Sequence, residues 1–396
     1  MAKTYNNFND LIDFTRASTA TFLDSDGILK TASTNVPRIE YDADGNRLGL
    51  LVEESRTNLV DYSSYIDTST SNWTSANITV NNNSASSPDG SYNGISLIET
   101  TATNVHSVYQ TPLVTDKIVT ASVYVKDNGR NYCQLRVASI GIGQAYVNFD
   151  LQNGVTGSSG GNRLLGSSIQ SVGNDWYRIS INIDGSGATI GFELCLVDGP
   201  NATERRTYSG DGTSGIYAYG FQFEVGSFLT SLIPTTGTTA TRSADVASID
   251  VTEFGYNQSE GTVVVEFKAN DTSVTRRLIG IDNGSGNNRI DSTTSPSNSL
   301  GFYVVDGGSI SANSTTTTTF TDGDFAKGAY SYQTNNFSIC LDGGSVTSDT
   351  TGTVPTTNIL RIGSSVVATN LMCGYFKSIK YYPRALTATQ IQELTR

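Results

Sequence analysis

At 396 residues the chain is too long for one ordinary core, so two or three domains are expected. Its 37 acidic side chains outnumber the 25 basic ones, for a net charge of −12, and such a surface repels phosphate backbones and argues against nucleic acid as a partner. Glycine is abundant at 39, only 16% of residues are charged, and no apolar run is long enough to span a bilayer, which points to many short strands joined by turns and to no membrane insertion.

The first residues, MAKTYNNFND, lack the apolar core of a secretory signal, which fits a protein released by lysis. Residues 1–57 then read as two small hairpins. Asp26-Gly27 and Asp44-Gly45 supply the turn chemistry, and strand-like residues flank both. Two hairpins hold too little core to stand alone, so this segment is expected to pack on its own domain, on neighbouring chains or on a socket. Its motifs are Thr15–Thr21 (TRASTAT), Asp24, Asp26 and Gly27, then Gly49–Leu51, Glu53 and Arg56–Leu59. With these it resembles the head-spike and tail-fibre proteins of bacteriophages.

Residues 58–234 read as a β-sandwich. TASVYVK at 120–126 alternates through Ala121, Val123 and Val125, and RISINID at 178–184 alternates through Ile179, Ile181 and Ile183. Turn signals at 127–129, 152–154 and 199–201 separate such runs. Trp73, Pro88-Asp89-Gly90, the SVYVK strand and Asp175-Trp176-Tyr177-Arg178 follow an order that resembles carbohydrate-binding-module jelly rolls, a resemblance that makes both tryptophans core residues. The domain ends on Tyr219–Val246, YGFQFEVGSFLTSLIPTTGTTATRSADV. Gly220, Gln222, Glu224, Gly226, Thr230, Ser231, Ile233, Pro234 and Thr235, followed by Thr241, Arg242, Ala244 and Asp245, again resemble phage fibre and spike proteins.

Residues 235–256 read as a Thr/Gly-rich linker, and residues 257–396 as a second sandwich. STTTTT at 314–319 suits an edge strand or loop. The end, with Tyr382, Arg384, Ala385, Leu386, Thr387, Ile391 and Leu394, resembles the last strand and terminal helix of laminin-G-like and concanavalin A-like lectin domains. Thr387 and Gln390 have the spacing of a capping box. The fold class is therefore all-β: tandem sandwiches with an N-terminal hairpin attachment unit and a short C-terminal helix.

Catalytic chemistry finds few residues. The single histidine, His106, lies in the strand-like VHSVY, and multi-histidine zinc sites are excluded. Of the strand carboxylates Glu53, Glu54, Glu224 and Glu266, the adjacent Glu53 and Glu54 point to opposite faces and cannot pair. The expectation is a protein that is not an enzyme. Cys133, Cys195, Cys340 and Cys373 lie in or beside strand-like segments and read as buried free thiols. Asp24, Asp26, Asp42 and Asp44 crowd carboxylates into turns; they could hold Ca2+, although turn propensity alone accounts for them. Sugar binding needs aromatic faces beside polar side chains, for which the loop tyrosines Tyr92, Tyr208 and Tyr256 are the candidates. Arg16, Arg56 and Arg242 sit in Thr-Arg or Arg-Thr pairs of the resembling motifs and are expected to tie the N-terminal segment to the next domain or to a neighbouring chain.

The resemblance implies a structural fibre or spike subunit at a virion surface, assembled in the host cytoplasm, usually a homotrimer, contacting other virion proteins and adhering to host surface glycans. Two alternatives differ in class: a capsid- or tail-decorating protein without a glycan pocket, and a polysaccharide depolymerase with a carboxylate pair in a groove.

Overall fold

The structure, a computed structural model, describes residues 11–69, 73–115, 117–140, 145–187, 189–366 and 370–396. The first ten residues of the expected attachment segment lie outside the described residues. The described chain is all-β, with four large antiparallel sheets packed as two sandwiches and one short α-helix at the end.

The first sandwich is built from two six-stranded sheets. One runs, in spatial order, Val155–Gly160, Ala145–Asp150, Tyr132–Ile140, Thr189–Leu196, His106–Thr115 and Trp73–Ala76. The other runs Leu164–Ser171, Tyr177–Asp184, Ile118–Asn128, Gly215–Val225, Gly94–Glu99 and Ile78–Ala85. The alternating residues read from the sequence, Ala121, Val123 and Val125 with Ile179, Ile181 and Ile183, point between the sheets and are buried. Trp73 packs edge-on against Phe192 and Phe221, and Trp176 is buried with its indole nitrogen donating to the Ser86 carbonyl.

Strict alternation would leave the other face of the second sheet wet. Instead Thr120, Ser122 and Tyr124 are buried as well. Tyr124 forms a small second core with Leu29, Val172, Trp176, Tyr219 and Leu232, because the hairpin Ala20–Leu23/Leu29–Ala32 and the segment after Val225 lie over that face.

The second sandwich has two seven-stranded sheets. The N-terminal residues, read from sequence as a unit of their own, are shared out here. Asp13–Thr15 pairs with Val246–Asp250 at the edge of one sheet, Arg47–Val52 pairs with Gly374–Tyr382 in the other, and Arg38–Tyr41 forms that sheet's edge. Phe14, Leu50 and Val52 join its core with Val263, Phe267, Phe302 and Tyr330. The physical reason is the one that made a free hairpin unit implausible: unpaired edges and a thin apolar face are satisfied by adding strands to an existing sheet.

The connector 235–256 is likewise structured. Ala240–Arg242 pairs with Arg56–Asn58, and Val246–Asp250 sits between Asp13–Thr15 and Ile359–Ile362. The first sandwich is thus an insertion between two strands of the second, Arg47–Val52 and Val246–Asp250. The helix Ala388–Leu394 starts at the Thr387/Gln390 capping box and buries Ile391 against Val264, Ala329 and Cys340 on the outside of its sheet. The strand Ser309–Thr315 closes one sheet edge, so the threonine-rich run begins as an edge strand. All four cysteines are free and buried.

Candidate carbohydrate-binding cleft

Arg16 and Glu53 from the N-terminal motifs meet Ser231, Arg242 and Asp245 from the motif after residue 219 in one place, the seam where the chain crosses between the sandwiches. Asp245 receives Arg16 Nη1 at 3.1 Å on one oxygen and Arg38 Nη2 at 2.6 Å on the other. Glu53 receives Arg38 at 2.8 Å and Arg242 at 2.9 Å. Its remaining capacity is filled by the Ser231 backbone N–H and hydroxyl, each at 2.7 Å. The two acids are tied to each other through the backbone, the Glu53 N–H donating to Asp245 Oδ2 and the Asp245 N–H donating to the Glu53 carbonyl, both at 2.9 Å. All five charged side chains are buried.

The seam explains the sequence motif after residue 219. Glu224 accepts from the Thr230 N–H and hydroxyl, and Gln222 accepts from the Ile233 N–H. These bonds hold the loop that aims Ser231 at Glu53. Asn58 donates to the carbonyls of Phe221 and Ile233 and so stitches the preceding motif to the same loop. Arg56 and Arg276 both pair with Glu54, and the Arg56 guanidinium lies 4.5 Å from the centre of the Phe228 ring. Arg16, Arg56 and Arg242 therefore all have partners within this chain.

Beside the network lies a cleft of about 390 Å³, walled by both sandwiches and within the size range of small-ligand sites. Its floor is a cross-strand row on the outer face of the first sandwich, where Gln170 faces Arg178 and Arg178 faces Tyr124 in the register of three neighbouring strands. The opposite wall carries Glu40, Tyr375, Lys268, Asn270 and Asp322 from the second sandwich. The cleft thus combines aromatic rings with donors and acceptors, as a sugar site requires.

Two carboxyls at this cleft are driven apart. Burial alone would raise Glu53, but the guanidiniums of Arg242 and Arg38 and the two bonds from Ser231 overcome it and hold the carboxyl at about 2. Burial dominates at Glu40, offset only in part by Arg38 and Arg178, and pushes it to about 8. One oxygen of Glu40 is buried with no hydrogen-bond partner. A split of this kind is what acid–base pairs use. Glu53, however, is pinned as a carboxylate, with Arg38, Arg242 and the Ser231 hydroxyl on Oε2 and the Ser231 N–H on Oε1, which suits it to a structural ion pair.

The residues singled out by sequence are scattered. Tyr92 is 66% exposed, its hydroxyl donating to the Ser84 carbonyl, away from the cleft. Tyr208 is buried, donates to Glu99 at 2.6 Å and packs on His106, which is itself buried between the carbonyls of Asn77 and Tyr208. Tyr256 bonds to Thr357 and packs on Phe254, Tyr332 and Tyr381. Tyr208 and Tyr256 thus face inward, because a tyrosine beside a loop is as able to satisfy its hydroxyl inside as to meet a ligand. Asp24 and Asp42 spend their carboxylates on their own turns, Asp24 accepting from the N–H groups of Asp26 and Ile28, and Asp42 from those of Asp44 and Asn46. Gly27 and Gly45 complete these turns at φ 72° and 78°. Among the described residues no group of three or more His, Cys, Asp or Glu is placed to hold a metal ion.

Sequence reading missed Glu40, Tyr124, Arg178 and Tyr375. The signal for Arg178 was an arginine opening a cleanly alternating strand. Arg178 lies on the face opposite Ile179, Ile181 and Ile183, and the covering hairpin makes that face an interior position.

Residues 236–392 match the family described as the concanavalin A-like lectin/glucanases superfamily. No curated protein matches the chain. Solved structures with some likeness include the CBM40 of Ruminococcus gnavus IT-sialidase bound to α2,3-sialyllactose, at 12% identity and a TM-score of 0.32 over 35% of this chain and 84% of that one. The native heptameric SAP-like pentraxin of Limulus polyphemus aligns at 12% identity and a TM-score of 0.29 over 35% of this chain and 70% of that one. The NanB sialidase of Streptococcus pneumoniae aligns at 16% identity and a TM-score of 0.32 over 37% of this chain and 26% of that one. By this match, residues 236–392 of the second sandwich are similar to a concanavalin A-like lectin domain, and the other β-sandwich is inserted between two strands of that second sandwich.

Proposed function

We propose that this protein is a carbohydrate-binding adhesion subunit that holds sugar in the cleft between its two sandwiches and leaves it uncut. The observation that carries this reading is the lectin-family sandwich with a cleft of about 390 Å³, lined by tyrosines and hydrogen-bonding side chains, at its seam with the inserted domain. The position of Glu53, locked by Arg38, Arg242 and Ser231, favours binding over hydrolysis. Each site is expected to be weak, with a Kd of roughly 0.1–1 mM, and multivalent display would make it effective.

The motifs of residues 15–59 and 219–246, which resemble phage spike and fibre proteins, favour a virion surface as the place of that display. A trimer rests on the same resemblance alone, because the described N-terminal strands find their partners within the chain. A glycan array probed with the full chain, with reducing-end release measured on every bound polysaccharide, tests the function. Binding without release is the expected result. Release at enzymatic rates would overturn the binding reading, and an empty array would favour a decorating protein. Light scattering and mass spectrometry of purified particles test the trimer and the virion separately.

A further inference from the structure

The charges around the cleft do not balance. In the buried network three guanidiniums, Arg16, Arg38 and Arg242, face two carboxylates, Glu53 and Asp245. Arg16 spends its other donors on the carbonyls of Ser18 and Ser33, so no further acid answers it. Arg178 then adds another positive charge. It is only 8% exposed, it has no carboxylate within ion-pair distance among the described residues, and its single hydrogen bond there is Nη2 to Ser122 Oγ at 3.3 Å. Its Nε is buried without a partner. What holds it is Tyr124, whose ring centre lies 5.1 Å from the guanidinium carbon.

The carboxyl that would answer Arg178 is Glu40, which also lines the cleft. Burial keeps Glu40 protonated well into the neutral range, so it presents a neutral O–H rather than a countercharge. At the opposite wall Lys268 and Asp322 carry opposite charges, so the excess lies with Arg178 and the buried network. In a chain of net charge −12, an interior pocket with unanswered positive charge is a local reversal. A buried guanidinium left without an anion is costly, and a planar fork with free donors matches a carboxylate in two-point geometry.

We propose that the cleft recognises an acidic sugar unit, its carboxylate held by Arg178 and its ring lying in the space between Tyr124 and Tyr375. This inference rests on the glycan-binding reading above and names its ligand class. A neutral sugar would leave Arg178 uncompensated, whereas a carboxylate supplies the missing charge and accepts from Glu40 as well.

The test uses the full chain against a panel of uronate-containing and other carboxylated oligosaccharides, their carboxyl-reduced counterparts, and sulfated and neutral ones. Thermal melting runs beside every titration. Wild-type protein is expected to bind carboxylated members and to lose at least tenfold in affinity when the carboxyl is reduced. Arg178→Gln is expected to lose binding to a similar degree, and Arg178→Lys to lose less. Should Arg178→Gln fail to fold, Gln170→Trp fills the cleft from an exposed position on the same row and is expected to abolish binding. Equal binding of reduced and carboxylated forms, preference for sulfated or neutral sugars, or full binding by folded Arg178→Gln or Gln170→Trp overturns the inference while leaving glycan binding intact. No binding to any sugar overturns both.

Discussion

Arg38 Nη2 lies 2.6 Å from Asp245 Oδ2, with both side chains wholly shielded from solvent. One partner comes from a strand near the N-terminus and the other from the segment that leads back out of the inserted sandwich. This ion pair therefore locks two crossings of the chain. Replacing Asp245 by Asn would leave Arg16 and Arg38 buried against a neutral amide. We expect Asp245→Asn to lower stability by about 3–5 kcal/mol, as for other broken buried pairs, measured by chemical denaturation. A loss below about 1 kcal/mol would show the network to be dispensable.

The two split carboxyls give opposite pH dependences. Glu53 has its folded pKa depressed to about 2 from 4.5, so its contribution is present above 4.5 and lost as pH falls towards 2. Glu40 has its folded pKa raised to about 8 from 4.5, so its contribution is full below 4.5 and lost as pH rises through 8. Wild-type stability is expected to decline between about pH 5 and 8 at constant ionic strength. Glu40→Gln, which mimics the protonated acid, should remove that decline and gain about 1–3 kcal/mol at pH 8. A variant that keeps the wild-type slope would rule Glu40 out as its source.

The interleaved chain path predicts how the protein can be cut. A fragment of residues 257–396 would lack Asp13–Thr15, Arg38–Tyr41, Arg47–Val52 and Val246–Asp250, exposing the edges of Ile359–Ile362 and Gly374–Tyr382. Unpaired edges and a core missing Leu50, Val52 and Ala247 should make it aggregate or bind a hydrophobic dye. The full chain, by contrast, should unfold in one calorimetric transition. Two separated transitions, or a soluble, cooperatively folding fragment, would contradict this account.

Gly49 has φ of 120°, and a Cβ there would run into the carbonyl of Phe376 on the paired strand. Gly49→Ala is expected to cost about 1–3 kcal/mol and to loosen Arg38–Tyr41, the edge strand that carries both Arg38 and Glu40. Hydrogen exchange of residues 38–52 reads this directly, and unchanged protection would show the backbone can yield.

The alternation of apolar residues at 119–125 and 179–183, the turn glycines and the terminal capping box were legible because each is set by local geometry, with period two for strands, positive φ at Gly27 and Gly45, and a side chain reaching three residues along at Thr387. The motif residues Arg16, Glu53, Arg56, Arg242 and Asp245 could be picked out by resemblance, but not the partners that give them their place. Those pairs lie up to 229 positions apart, and no local pattern encodes which strand edge a short N-terminal segment will join. The same limit hid the cleft. Arg178 and Glu40 are ordinary strand residues until a hairpin from residues 20–32 and a strand from 374–382 close over them. Their exposure, and the protonation of Glu40, are then decided by neighbours the sequence does not place beside them. The sequence by itself determined the strands, their inward faces and their turns, because these depend on neighbours within a few residues. Only the tertiary structure decided which strands share a sheet and where charge is left unanswered, because both depend on contacts between distant parts of the chain.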